Sequence, residues 1–307
     1  MSRSHWHPPR IRLKSMVSHA LVAAHVGLLL CGAHFLLKER LTNAVFDRIV
    51  QNTIAPSMSD EERALTLMAT THRIQWGAKA LISPKNDAAP FEVPGTAYQQ
   101  GPNFHLLAPV GACGSFTVAL AKALERAGID HRIALMDCGL GRIGCHILLE
   151  ARVDHRWAVL DPIVNQSFRR PDGKLASFAD VSADWPHYQR QIPSWRTQLD
   201  ADDEQYYDLS LYNYHGVQYT NWEKVPVILP AIRSLLVALL GQPWVDDLAL
   251  NTLVFARNRL YLMLMAGLYL WLWLATVGWW VWGRRRSTAI ASPHPAPSSL
   301  PTRSSAI

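Results

Sequence analysis

Two stretches of the chain, residues 16–37 and 260–282, run for 22 and 23 positions without Lys, Arg, Asp or Glu. A helix needs ~20 such residues to cross a ~30 Å hydrocarbon core, so each predicts a membrane span. Between them the pattern becomes that of a folded domain. Ser59-Asp60-Glu61-Glu62 reads as a capping box opening a helix to about residue 81. A Pro-containing loop over 83–109 follows. Val118, Leu120, Ala121, Leu124 and Ala127 then recur at helical spacing, with Gly128 placed to end that helix. Strands are expected at 131–138, 145–152 and 156–160, the last two joined by a tight turn at Asp154-His155. Residues 225–240 form a third apolar stretch, short and interrupted by Arg233, with Gly241 as a stop. It predicts a helix resting on the membrane surface or on the domain rather than a third span.

Composition and charge sharpen this picture. The chain has 307 residues, 49% of them hydrophobic and 18% charged, too apolar for a disordered protein. Its net charge of +6 is not spread evenly. Residues 1–40 and 259–307 each carry +5, while 41–258 carry −4. The basic excess thus sits at the two ends, which removes the argument for nucleic-acid binding. Arg3, Arg10, Arg12 and Lys14 precede the first apolar run, and Arg284, Arg285 and Arg286 follow the second. Basic flanks stay on the cytoplasmic side. The expectation is a two-pass inner-membrane protein: a cytoplasmic segment 1–15, a span 16–37, a periplasmic region 38–259, a span 260–282, and a cytoplasmic tail 283–307 that is Ser/Pro/Ala-rich and disordered. A cleaved signal peptide is the rival reading of the first run; it leaves the large region outside all the same.

The candidate chemistry lies in the middle of the chain. Cys113 opens the helix that ends near Gly128, where unpaired N–H groups and the positive dipole end favour a thiolate. If Asp154-His155 is a two-residue loop, opposing residues of the hairpin sum to 309. Asp161 then faces Leu148 and lies diagonal to His146, on one face of the hairpin and within reach of a His–Asp hydrogen bond. A slip of one residue would put the pair on opposite faces. In chain order Cys113, His146 and Asp161 supply a nucleophile, a base and a carboxylate that orients the base.

At these residues the sequence resembles the transglutaminase-like superfamily of cysteine acyl-transfer enzymes. The matching pieces are Gly111-Ala-Cys113, Leu124-Glu-Arg-Ala-Gly128-Ile129, His146 and Trp157-Ala-Val-Leu-Asp161-Pro162, with spacings of 33 and 15 between the three functional positions. The similarity covers about residues 60–185. Where an aromatic residue often follows the catalytic His in that family, this chain has Ile147-Leu148-Leu149. The resemblance implies an α+β, transglutaminase-like (papain-like) core, with the Cys helix packed on an antiparallel sheet and Cys113, His146 and Asp161 as nucleophile, base and orienting carboxylate. The implied activity is cysteine-dependent acyl transfer through a thioester, cleaving or transferring an amide bond of a periplasmic protein or peptide without cofactor or metal. The alternatives are an idle domain acting as a scaffold in an envelope, polysaccharide or export assembly, and an enzyme acting on a cell-wall or polysaccharide component.

The oxyanion donor is expected to be the Cys113 N–H, with Gln99, Gln100 or Asn103 as side-chain candidates. Cys138 and Cys145 flank a Gly-rich loop and are placed for a disulfide; a zinc site with Cys113 and His146 is disfavoured because no Cys-x-x-Cys pair exists. Tyr206, Tyr207, Tyr212, Tyr214 and Tyr219 are expected to pack on the core or bilayer surface. His105, His131, His155, His187 and His215 are expected at the surface.

Overall fold

The structure, a computed structural model, describes residues 10–82, 102–107, 112–137, 143–192, 216–224 and 226–290. The chain divides into two compact units, breaking after His34 and before Leu262. The central unit, Phe35–Tyr261, is an α+β domain built on a five-stranded antiparallel sheet. Its strands are β1 (His131–Asp137), β2 (Ile143–Val153), β3 (Arg156–Asp161), β4 (Gln166–Ser167) and β5 (Gly216–Gln218), in the order β4-β3-β2-β1-β5.

Local chemistry sets the ends of the elements. Helix α2 (Asp60–Ile82) starts with the expected reciprocal cap: the Ser59 N–H donates to Glu62 Oε2 at 2.8 Å and the Glu62 N–H to Ser59 Oγ at 3.2 Å. Helix α4 (Ala112–Arg126) ends where Gly128 takes φ 72°. The N–H of Ile129 reaches back to the Leu124 carbonyl and that of Gly128 to Glu125, the paired bonds of a Schellman stop. Asp154 and His155 both have positive φ, 48° and 63°, as a two-residue type I′ hairpin turn requires. That turn fixes the register. Glu150 opposes Val159 and Leu149 opposes Leu160, so facing residues sum to 309.

Both faces of the sheet are covered, which is why β1–β3 read as nearly continuous apolar runs. Ile133, Leu149 and Ala151 point to one face, against Leu120 and Leu124 of α4 and Leu67 and Met68 of α2. Ala134, Met136, Leu148 and Val159 point to the other, against Phe168 and against Phe178 and Val181 of α5 (Phe178–Ala183). The core is wider than residues 60–185. Phe46, from α1 (Arg10–Thr53), is fully buried in it, and β5 extends the sheet beside β1. Buried Lys122 ties α4 to α1 through Glu39 at 2.6 Å, and Arg126 does so through Asp47 at 2.6 Å.

Two helices are long and apolar enough to cross a membrane, over Ser15–Thr53 and Arg257–Trp282. The first helix does not end at residue 37. It continues to Thr53 because its later apolar residues, Phe46, Ile49 and Val50, have the domain core to pack on. The second, α10 (Arg257–Ile290), stays helical past residue 282, where the expected disordered tail begins; arginines are good helix formers. Within the unit formed by these helices, His25 Nε2 and Thr276 Oγ1 share a hydrogen bond at 3.1 Å, and the His25 ring stands edge-on to Tyr269 at 5.2 Å.

In chain order, α7 (Ile228–Leu240), α8 (Gln242–Asp246) and α9 (Leu250–Phe255) follow β5 and precede α10. No residue of α7 is buried. Helices α3 (Pro102–Leu107) and α6 (Trp185–Gln189) complete the described elements.

Candidate active site

Cys113 is the second residue of α4, half-buried, in the turn whose N–H groups have no partner within the helix. His146 lies on β2 and is 2% exposed; Asp161 ends β3 and is 0% exposed. The Asp161 carboxylate meets His146 Nε2 at 2.7 Å. Cys113 shares a hydrogen bond with the same imidazole. With Nε2 taken by Asp161, the ring nitrogen left for the sulfur is Nδ1. Three residues separated by 33 and 15 positions in sequence thus form one chain of contacts, sulfur to imidazole to carboxylate.

The place where the strand ladder stops explains how α4 comes to this point. Continued at the same register, β3 would set Pro162 opposite Ile147, and proline has no N–H to donate. Helix α4 takes over. Thr117 Oγ1 donates to the Ile147 carbonyl at 2.8 Å, and the Ile147 N–H donates to the Cys113 sulfur. Cys113 and Thr117 are one helical turn apart, so two contacts to one backbone residue lock the helix beside His146. Helix α2 closes the same gap from β3's side. His72 Nδ1 donates to the Pro162 carbonyl at 3.0 Å, and Trp76 Nε1 to that of Ile163 at 3.0 Å. The Ile163 N–H folds back to Asp161 Oδ1 at 3.3 Å, fixing the carboxylate from its other oxygen.

The electrostatics follow from this packing. Burial, the largest influence on Cys113, pushes its thiol up; the hydrogen bond and charge of His146, with the Ile147 N–H, outweigh it, and the net shift is downward. For His146, burial disfavours the imidazolium, yet the charge and hydrogen bond of Asp161, then those of Cys113, raise it to about 10. The thiol therefore ionises more easily, and the imidazole holds its proton more tightly, than either would free in water. This favours a thiolate–imidazolium pair at neutral pH.

A second buried charge lies two pleats along on the same face of β2. Glu150, 0% exposed, accepts from Arg132 at 2.8 Å, from Tyr219 Oη at 2.6 Å and from the Phe178 N–H at 2.6 Å. Arg132 is held between the Trp157 and Tyr219 rings, 4.3 and 3.8 Å from their centroids, and also bonds Asp247. Glu150 thus joins β1, α5 and the segment after β5 to the strand that carries His146.

Thr117, His72, Trp76 and Glu150 carried no signal in the sequence, since each acts through residues at least 18 positions away. Two expectations are corrected. His105 is half-buried: its Nδ1 shares a hydrogen bond with Ser115 Oγ at 3.0 Å, and burial, with the Arg257 charge, lowers it to about 4. His131 is half-buried, bonding the Ile129 carbonyl at 3.3 Å. His155 is exposed at the turn and His187 half-buried. Tyr219 packs on the core as expected. Asn103 sits on α3, and its buried Oδ1 has no partner among the described residues. Gln99, Gln100, His215, Tyr206, Tyr207, Tyr212 and Tyr214 lie outside the described residues, as does the Cys138–Cys145 pairing. Among the described residues, no group of three or more His, Cys, Asp and Glu is gathered to hold a metal ion. Compared with family models, curated proteins and solved structures, the chain matches none.

Proposed function

We propose that the protein is a membrane-anchored, cysteine-dependent acyl-transfer enzyme of transglutaminase-like type, acting on an amide bond of a periplasmic protein or peptide. The observation that carries this reading is the buried Asp161–His146 contact at 2.7 Å with the Cys113 thiol on the same imidazole. A buried carboxylate and imidazole with no task could be replaced by apolar residues at no cost to stability.

In the proposed cycle the Cys113 thiolate attacks the amide carbonyl carbon, and negative charge collects on the carbonyl oxygen near the first turn of α4, whose N–H groups have no partner within the helix. The tetrahedral adduct collapses with cleavage of the C–N bond, and His146 gives its proton to the departing amine. A thioester remains on Cys113. Water or an acceptor amine then attacks it, His146 takes the proton, and the C–S bond breaks to restore the thiolate–imidazolium pair. Asp161 holds the imidazole orientation throughout. With both basic ends retained in the cytoplasm, the domain and its substrate face the periplasm.

The test is alkylation of the detergent-solubilised protein by iodoacetamide with peptide mapping. The expected result is that Cys113 reacts at pH 7 faster in the folded than in the denatured chain, and that His146→Ala removes the excess. Cys113 reacting no faster when folded would overturn the enzyme reading in favour of a scaffold. Substrate capture by Cys113→Ala in intact envelopes follows a positive result.

A further inference from the structure

Helix α7 presents its apolar side outward. Ile228, Ile232, Leu235 and Leu239 recur at i, i+4, i+7 and i+11, which sets them within about 60° of one another around the helix axis. In a domain surrounded by water, such a stripe turns to the core. Here Ile228 is 59% exposed, Leu235 59% and Leu239 69%, and Trp244, just beyond in α8, is 74% exposed. The one charge of α7, Arg233, is half-buried and faces Asp246 at 3.3 Å. The polar capacity of the helix is spent on the domain and its apolar capacity on the surroundings.

We infer that α7 lies flat in the interface of the bilayer that holds the two spans, its stripe among the acyl chains and Trp244 at headgroup level. The inference goes beyond the acyl-transfer reading and rests on the spans being embedded, which resistance to carbonate extraction tests separately. Three observations favour lipid over a protein occupant. Sixteen residues separate the end of α7 at Leu240 from the start of α10 at Arg257, so a bilayer that holds α10 is joined to α7 through the chain itself and needs no bimolecular encounter. The 13-residue helix is ~20 Å long at ~1.5 Å per residue, too short to span, and Gly241 at φ 87° turns the chain away at its end. The stripe carries no charge or hydrogen-bonding group of the kind a protein interface uses for register. Because no basic fringe lines it, attachment depends on apolar area, and neutral lipid suffices.

The experiment uses the full-length chain, purified and reconstituted into vesicles of zwitterionic phosphatidylcholine. A benzophenone amino acid is placed at Leu235, at Leu239 or, as the off-stripe control, at Ser234, and products are read by mass after illumination. The expected outcome is lipid adducts at positions 235 and 239 at several times the yield at 234. Crosslinks to a second copy, equal lipid labelling at all three positions, or no lipid adduct would each overturn the assignment. All three positions are exposed, and unchanged Cys113 alkylation checks that each variant is folded. If Cys113 is unreactive even in the unsubstituted chain, the enzyme reading falls and the adduct pattern still decides the membrane contact.

Discussion

Replacing Asp161 with Asn keeps the shape and a hydrogen-bond acceptor beside His146 Nε2 but removes the charge. A carboxylate and an imidazolium with charge centres ~4 Å apart attract by ~4 kcal/mol at an effective dielectric of ~20. At ~1.4 kcal/mol per pK unit, that is about 3 units of imidazole basicity. His146, raised to about 10 in the intact site, falls to about 7 in Asp161→Asn. The order of ionisation then reverses. In the native site the thiol, shifted downward, gives up its proton before the imidazolium, so the thiolate appears with a cation beside it. In the variant the imidazolium deprotonates first, and the half-buried thiol has to ionise without that cation, which moves it upward from its native position. The thiolate population at pH 7 therefore shrinks, so the alkylation rate there falls and the midpoint of its pH profile moves upward. The assay is the rate of iodoacetamide addition to Cys113 from pH 5 to 10, native against Asp161→Asn. An unmoved midpoint would show that the Asp161 charge does not govern the thiol, and the argument from burial and charge would fail.

Other consequences are open to direct measurement. Glu150→Ala leaves Arg132 enclosed without its main counter-charge, and such losses cost about 3–5 kcal/mol; thermal unfolding in detergent should show a large fall in Tm, and an unchanged Tm would dismiss Glu150 as a hub. Thr117→Val removes the donor to the Ile147 carbonyl for a cost of about 1–3 kcal/mol. If that contact positions α4, Cys113 alkylation at pH 7 slows several-fold, whereas a loss of stability with unchanged alkylation assigns Thr117 a purely structural part. Gly128→Ala forces a Cβ into the left-handed region at about 1–2 kcal/mol. A Cβ there has open space around it, so the effect should appear in stability and leave Cys113 reactivity intact.

Much of the hairpin that carries the site was legible in the sequence because the decisive interactions are local. The Asp154-His155 turn sets which residues oppose each other on β2 and β3, and with a side-chain period of two it also sets which share a face. The turn alone therefore puts His146 and Asp161 on one face. The Ser59–Glu62 cap and the Gly128 stop likewise close over three to five residues and can be read from residue type. The two uncharged runs follow from length alone.

What brings Cys113 to that hairpin is decided only by tertiary structure. The docking depends on a ladder that ends at Pro162 and on donors from Thr117, His72 and Trp76 arriving from other helices. Such donors can come from any polar residue the fold delivers, so no spacing marks them in advance. The same holds for Phe46 in the core, for β5 as the fifth strand, and for Glu150 beneath three donors. The period of α7 identified a helix with one apolar face but not the direction that face takes. Periodicity fixes which residues share a face; what lies opposite it is fixed by packing between segments distant in the chain.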